Sequence, residues 1–216
     1  MKRLIIYDLD GTLVDTGEDI ARAVNYMLRE MHGAMRPAEE IRRFVGRGLH
    51  DLIARCLDTE HPAQIARGTQ LFEAHYAAHL TDCSQLYPGV LEMLDALKSR
   101  AQAVVTNKPQ PFARDLLAAL GVAEYFVDII AGGTTYPKKP DPAAVRALMH
   151  RHRVRPEDTV LIGDSLIDVE TGKNAGVSTV MMTHGFTSPD ELKSGHPEAV
   201  VDGFAEFLEL ARSRGW

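Results

Sequence analysis

Cysteine is scarce in this chain of 216 residues: Cys56 and Cys83 are the only two, far apart and outside any Cys-x-x-Cys spacing. That argues against a disulfide framework or a cysteine-ligated zinc site and suits a reducing, cytoplasmic setting. Positive charge is not in excess either. With 24 basic against 30 acidic residues, a formal net charge of -6 and no long basic run, the chain has little with which to track a nucleic-acid backbone. Long hydrophobic runs are missing as well. The segment Leu4-Ile5-Ile6-Tyr7 follows two basic residues, as in a signal peptide, but Asp8 and Asp10 cut it far short of a signal or a membrane span. It reads as a buried first strand. There is no repeat and no low-complexity tract. A soluble protein with neither nucleic-acid nor membrane partners is expected.

What is present, 45% hydrophobic and 25% charged residues, is enough for one good core or for a larger and a smaller unit. Short apolar runs at 4–9, 101–106, 127–131, 159–162 and 177–182 alternate with helical patterns. This α/β alternation implies a parallel sheet covered on both faces. Residues 16–84 break the pattern, being helical in type with no convincing strand. Ile20, Val24, Met27, Leu28 and Met31 fall on one stripe, as do Leu49, Leu52, Ile53, Cys56 and Leu57. The expected organisation is a core of 1–15 and 85–216 and an inserted helical lobe of 16–84, with crossings near 15–17 and 83–87. Gly121 and Gly176 are expected to close helices.

Polar residues concentrate where strands end, which in open parallel sheets is where ligands bind. In Asp8-Leu9-Asp10-Gly11-Thr12 two carboxylates leave an apolar strand two residues apart. Their repulsion calls for a hard, oxygen-loving cation, for which Mg²⁺ is the natural candidate. A carboxylate can also attack phosphorus, so Asp8 is the candidate nucleophile. Asp10 could protonate a leaving alkoxide and later deprotonate water. Gly11 would let backbone approach a phosphate, and Thr12 would orient a carboxylate. A plain turn or part of a calcium loop is the alternative for this run. At the second strand end, Thr106 and Asn107 offer a hydroxyl, an amide and a helix N-terminus to a phosphoryl group; ordinary capping by Asn107 with Gln110 competes. Lys139, at a helix entry, could neutralise phosphoryl oxygens, whereas Lys138 reads as solvated. At the fourth end, Asp164 would complete the metal site, with Ser165 beside it and Asp168 bracing it from one helical turn away.

Taken together, Asp8 to Thr12, Thr106, Lys139 and Gly163 to Asp168 resemble, in order, the four motifs of the phosphatase branch of the haloacid dehalogenase superfamily. The resemblance spans nearly the whole chain. It implies a Rossmann-like core with a helical cap inserted after the first motif. It also implies Mg²⁺ held by Asp8, the backbone carbonyl of Asp10, and Asp164. Asp10 itself departs from the dehalogenases, which lack that acid. Val105-Thr106-Asn107-Lys108-Pro109 with Phe112, Lys139-Pro140 and Val45-Gly46-Arg47-Gly48 resemble the phosphoglycolate phosphatase subfamily. The implied activity is Mg²⁺-dependent hydrolysis of a small phosphate monoester, best 2-phosphoglycolate, through a phospho-aspartate, by a monomer or homodimer. In that setting Arg47 is expected either to clamp a substrate carboxylate or phosphate or to be merely solvated. Gly132-Gly133-Thr134-Thr135 departs from similar phosphatases, which show acids after the glycines, and this bears on the substrate. The rivals are a sugar phosphomutase, a pyrophosphatase or nucleotide phosphatase, and a non-catalytic binding protein of the same fold. His75 and His79 read as cap-packing or surface residues and His184 as a loop histidine, with Cys56 in the core.

Overall fold

The computed structural model describes residues 1–133 and 135–216, so Thr134 lies outside the described residues. Along the chain run β1 (Leu4–Tyr7), β2 (Val14–Asp15), α1 (Gly17–Glu30), α2 (Ala38–Arg42), α3 (Leu49–Leu57), α4 (Pro62–Ala78), β3 (Gln85–Leu86) and α5 (Val90–Ala96). There follow β4 (Ala101–Pro109), α6 (Gln110–Ala119), β5 (Asp128–Gly132), α7 (Ala143–His152), β6 (Thr159–Gly163), α8 (Leu166–Ala175), β7 (Ser178–Met182), α9 (Pro189–Ser194), β8 (Ala199–Val201) and α10 (Phe204–Ser213).

Six strands form one parallel sheet in the order β5-β4-β1-β6-β7-β8. The Rossmann-like expectation holds. Both faces of the central strands are dry because successive side chains alternate between faces. Ile5 and Tyr7 of β1, Val104 of β4 and Val160 and Ile162 of β6 enter one apolar cluster. Leu4 and Ile6, Ala103 and Val105, and Leu161 enter the other. Strands buried on both sides read as continuous apolar runs, which is why the five longer ones are legible in the sequence. The sixth, β8, has three residues after Pro197-Glu198 and carries no such signal.

A third cluster holds the helical segment together. Ile20, Val24, Met27 and Leu28 of α1 meet Ile53 and Cys56 of α3 and Phe72 and Tyr76 of α4, while Phe112 reaches in from α6. Burial pushes the Cys56 thiol up to about 12, so it stays protonated and inert.

The two crossings between sheet and helical segment are joined to each other. β2 and β3 pair antiparallel, Val14 with Leu86 and Asp15 with Gln85. Beside them Asp19 of α1 accepts hydrogen bonds from the backbone N–H groups of Cys83 and Ser84, the latter at 2.7 Å, and from the Ser84 hydroxyl at 2.7 Å. Asp19 is buried, and removing its carboxylate leaves those donors without acceptors. Asp19→Ala is therefore expected to lower stability by about 2–3 kcal/mol, read as a reduced urea midpoint; an unchanged midpoint would count against this brace.

Candidate active site

Because the strands are parallel, β1, β4 and β6 deliver their C-terminal residues to one edge of the sheet. Asp8 follows β1, Thr106 to Lys108 end β4, and Asp164 follows β6. Lys139 comes from the loop before α7. Lys139 Nζ lies 2.8 Å from Asp8 Oδ1 and 2.6 Å from Asp168 Oδ1. The second oxygen of Asp168 accepts the Ser165 hydroxyl at 2.6 Å and its backbone N–H at 3.2 Å, a capping box that opens α8. Asp164 accepts the Thr12 hydroxyl at 2.8 Å on Oδ1 and the Phe186 N–H at 2.8 Å on Oδ2. Gly11 turns with φ +79°, and a Cβ there would stand 2.3 Å from Asp164 Oδ2. The turn after Asp10 therefore needs glycine twice over, for its dihedral and for its space.

The electrostatics are out of balance. Asp8, Asp164 and Asp168 are all buried and can place one oxygen each within 4.8 Å of one another, with Lys139 as the single ammonium among them. Burial raises Asp8 to about 6, with Lys139 opposing and Asp168 adding. Burial likewise raises Asp164 to about 8, with Asp8 and Asp168 adding and the Phe186 and Thr12 bonds opposing. For Lys139, burial disfavours the charge, but Asp168 and Asp8 outweigh it and hold its pKa above the lysine range. Asp8 Oδ1 is buried and, despite the nearby ammonium, lacks an aligned hydrogen bond. Surplus negative charge on oxygen donors fits a hard divalent cation. Asp8 and Asp164 could hold it. Asp168 is spent on Lys139 and Ser165 and serves as their brace.

Asp10 is not part of that cluster. Its Oδ1 accepts the Thr16 hydroxyl at 2.7 Å and Lys108 Nζ at 2.8 Å. Lys108 also donates to the Tyr76 hydroxyl of α4 at 2.7 Å. Sequence reasoning gave Lys108 no role, since buried and solvated lysines look alike in a sequence, and it passed over Tyr76 between two more conspicuous histidines.

Two cavities meet at Asp8 and Asp10. One, of about 50 Å³, is walled by apolar residues such as Ile20, Leu52, Phe72 and Phe112, with Thr106 and Lys108 at its polar end. The other, of about 270 Å³, is polar and carries Asp164, Ser165, Arg42 and Arg43. Arg47, for which the sequence leaves a clamping and a solvated reading both open, is exposed and lines neither cavity, while Arg42 and Arg43 line the polar one. The Asn107 side chain is engaged within the protein. Its amide donates to the carbonyls of Gly46 and Lys139 at 2.8 and 3.0 Å and accepts the Lys139 N–H at 2.8 Å. These bonds tie Lys139 to the glycine loop. Gly48 follows in that loop with φ +93°, and a Cβ on it would stand 3.3 Å from the Asn107 carbonyl oxygen.

The histidines stay outside the reacting groups. His184 stacks on Tyr87 with ring centroids 4.0 Å apart and bonds the Thr12 carbonyl at 3.1 Å, steadying the first turn. His75 and His79 stack on each other at 4.4 Å.

A parallel α/β fold that gathers an aspartate-lysine-aspartate cluster at its strand ends, with a second acid two residues on, suits phosphoryl or acyl chemistry at a carboxylate. The chain belongs to the haloacid dehalogenase-like hydrolase family, whose profile matches residues 5–182. A phosphoglycolate phosphatase from Vibrio parahaemolyticus is 35% identical over 96% of this chain and 95% of the relative. Another, from Rhodospirillum rubrum, is 38% identical over 100% of this chain and 91% of its own length. The crystal structure of a predicted phosphoglycolate phosphatase from Haemophilus somnus superposes with a TM-score of 0.92 at 29% identity, covering 97% of this chain and 98% of that one. No helix among the described residues is long and apolar enough to cross a membrane.

Two outcomes are expected. A carboxyl group with a raised native pKa stabilises the fold while protonated, and for Asp164 that contribution drains away as pH climbs from its ordinary 3.8 through about 8. A bound cation takes the proton's place. The rise in melting temperature on replacing a chelator by a divalent cation should therefore be larger near pH 8 than near ~pH 6; an increment that shrinks at the higher pH would contradict the arrangement. Arg47→Ala should change kcat/KM less than about twofold, as expected for an exposed side chain outside both cavities, whereas a tenfold loss would restore it to the site.

Proposed function

We propose that the chain is a Mg²⁺-dependent phosphatase that hydrolyses 2-phosphoglycolate through a phospho-aspartate on Asp8. The observation that carries this reading is the buried Asp8, in contact with Lys139 and faced by Asp164, with Asp10 poised two residues away.

In the first half-reaction an Asp8 oxygen attacks phosphorus and the ester P–O bond breaks. Asp10 gives its proton to the departing glycolate oxygen. In the second, Asp10 takes a proton from water, which attacks the same phosphorus and breaks the acyl-phosphate P–O bond, releasing phosphate and restoring Asp8. Thr16 and Lys108 hold Asp10 by Oδ1 throughout; Oδ2 accepts no hydrogen bond among the described residues and serves as the proton carrier. Thr106, which lines the same small cavity as Asp8 and Asp10, would serve as a phosphoryl ligand, and Lys139 would offset charge on the equatorial oxygens. Mg²⁺, when bound by Asp8, the Asp10 carbonyl and Asp164, supplies further neutralisation of the phosphoryl group.

The small cavity of about 50 Å³ beside Asp8 and Asp10 suits a short leaving group such as a methylene that carries a carboxylate. The substrate name comes from the relatives. Residues 16–84 would act as the cap that closes this cavity over 1–15 and 85–216 and excludes water. Two free cysteines accord with a reducing cytoplasmic setting for a monomer or homodimer.

The test is phosphate release with Mg²⁺ and with a chelator from 2-phosphoglycolate, sugar phosphates, nucleotides and pyrophosphate. Mg²⁺-dependent release should favour 2-phosphoglycolate, and Asp8→Asn should lower kcat by about 10⁴-fold or more. A fully active Asp8→Asn protein would sink the mechanism; preference for a nucleotide or sugar phosphate would sink the substrate assignment.

A further inference from the structure

The small cavity holds a charge that hydrolysis at Asp8 does not by itself require. Lys108 is buried, and among the described residues that line this cavity it is the one cationic side chain. Burial works against its ammonium, but attraction to Asp10 and Tyr76 and hydrogen bonds to both outweigh that cost and hold its pKa above the lysine range. An ammonium has three N–H donors. Two go to Asp10 Oδ1 and the Tyr76 hydroxyl, and the third has no acceptor among the described residues. Tyr76 is in a similar position. Its oxygen accepts from Lys108, and its own O–H has no acceptor among the described residues.

Two unspent donors thus stand side by side, their heavy atoms 2.7 Å apart, at the polar end of an otherwise apolar cavity. Such a pair suits a carboxylate, whose two oxygens accept parallel hydrogen bonds and whose charge the ammonium neutralises. Tyr76 is held firmly for this task. Phe72 stacks on it with ring centroids 5.2 Å apart, and Phe112 meets it edge-on at 5.2 Å. Because Lys108 ends a core strand and Tyr76 lies on α4, the pair is assembled only when the helical segment sits against the core.

We propose that Lys108 and Tyr76 form a two-donor clamp for the carboxylate of the leaving group, so that Lys108 is the residue that selects an α-hydroxy-acid phosphate over an uncharged ester of the same size. This rests on the phosphatase reading above. Lys108 reaches the carboxylate from the same position in which it steadies Asp10, so the substrate's charge is recognised next to the group that protonates its bridging oxygen.

The experiment compares kcat/KM for 2-phosphoglycolate with that for its uncharged isostere, the phosphate ester of glycolamide, in the wild type, K108Q and Y76F. Loss of a purely structural lysine slows both esters alike. Loss of a clamp changes their ratio. The wild type is expected to prefer the acid by about 100-fold, K108Q to bring that preference to within about threefold, and Y76F to cut it by about tenfold. A preference that persists in K108Q overturns the clamp. Should K108Q fail to fold, judged by circular dichroism, Y76F decides: a reduced preference supports the clamp and an unchanged one overturns it. A wild type that hydrolyses both esters equally also overturns it, while leaving the phosphatase standing. No phosphate from either ester overturns the phosphatase reading and the clamp with it.

Discussion

Three buried carboxylates and one buried ammonium held together are the constraint around which this site is built. Like charges out of water repel strongly, and each buried carboxylate would protonate unless something compensates it. Lys139 compensates part by touching Asp8 and Asp168 together. The hydroxyl of Thr12 and the N–H of Phe186 compensate part by donating to Asp164. What remains is surplus negative charge at the place where a cation and a phosphoryl group would meet. The surrounding structure follows from that need: glycine at position 11 because the Asp164 carboxylate fills the space, a capping box because Asp168 must not turn away, and Asn107 bonded to both backbone groups of Lys139.

The carboxylates were legible in the sequence because they interrupt apolar strands, and a charged residue directly after a buried run has few structural reasons to be there. Asp8, Asp10 and Asp164 each admit a plainer reading as turn or cap residues, and it is as a set at successive strand ends that they stand out. The five longer parallel strands were legible for the related reason that a strand covered on both faces has no polar side. Other features left no such mark. β8 is too short to establish a period, and the β2–β3 pair joins two-residue strands seventy positions apart. Lys108 carries a charge into the interior, yet the run Thr-Asn-Lys-Pro, though it carries the family resemblance, does not itself show that this lysine is buried while Lys138 is exposed. For Arg47 the flanking glycines left two readings open, a ligand clamp or a solvated side chain; the loop brings Gly46 and Gly48 to the cavity, and the exposed arginine is not in its lining.

The division of labour between the two cavities follows the division between core and helical segment. The core alone supplies Asp8, Asp10, Asp164 and Lys139, the groups to which the proposed reaction is assigned. The helical segment contributes shape and apolar surface to the small cavity, the Tyr76 hydroxyl that meets a core lysine, and Arg42 and Arg43 to the polar cavity. Asp10 sits at the boundary, held from the core by Lys108 and from the first residues beyond β2 by Thr16. An acid placed there is sensitive to both halves.

The β2–β3 ribbon has a consequence for descent. Since the inserted segment leaves and re-enters the core through two strands that are hydrogen-bonded to each other, its ends are neighbours, and a short bridge could span the gap without displacing β1 or the nucleophile. Whole helical segments can then be lengthened, shortened or exchanged as units. Selection can redraw what such an enzyme recognises while the machinery that handles phosphorus is inherited unaltered.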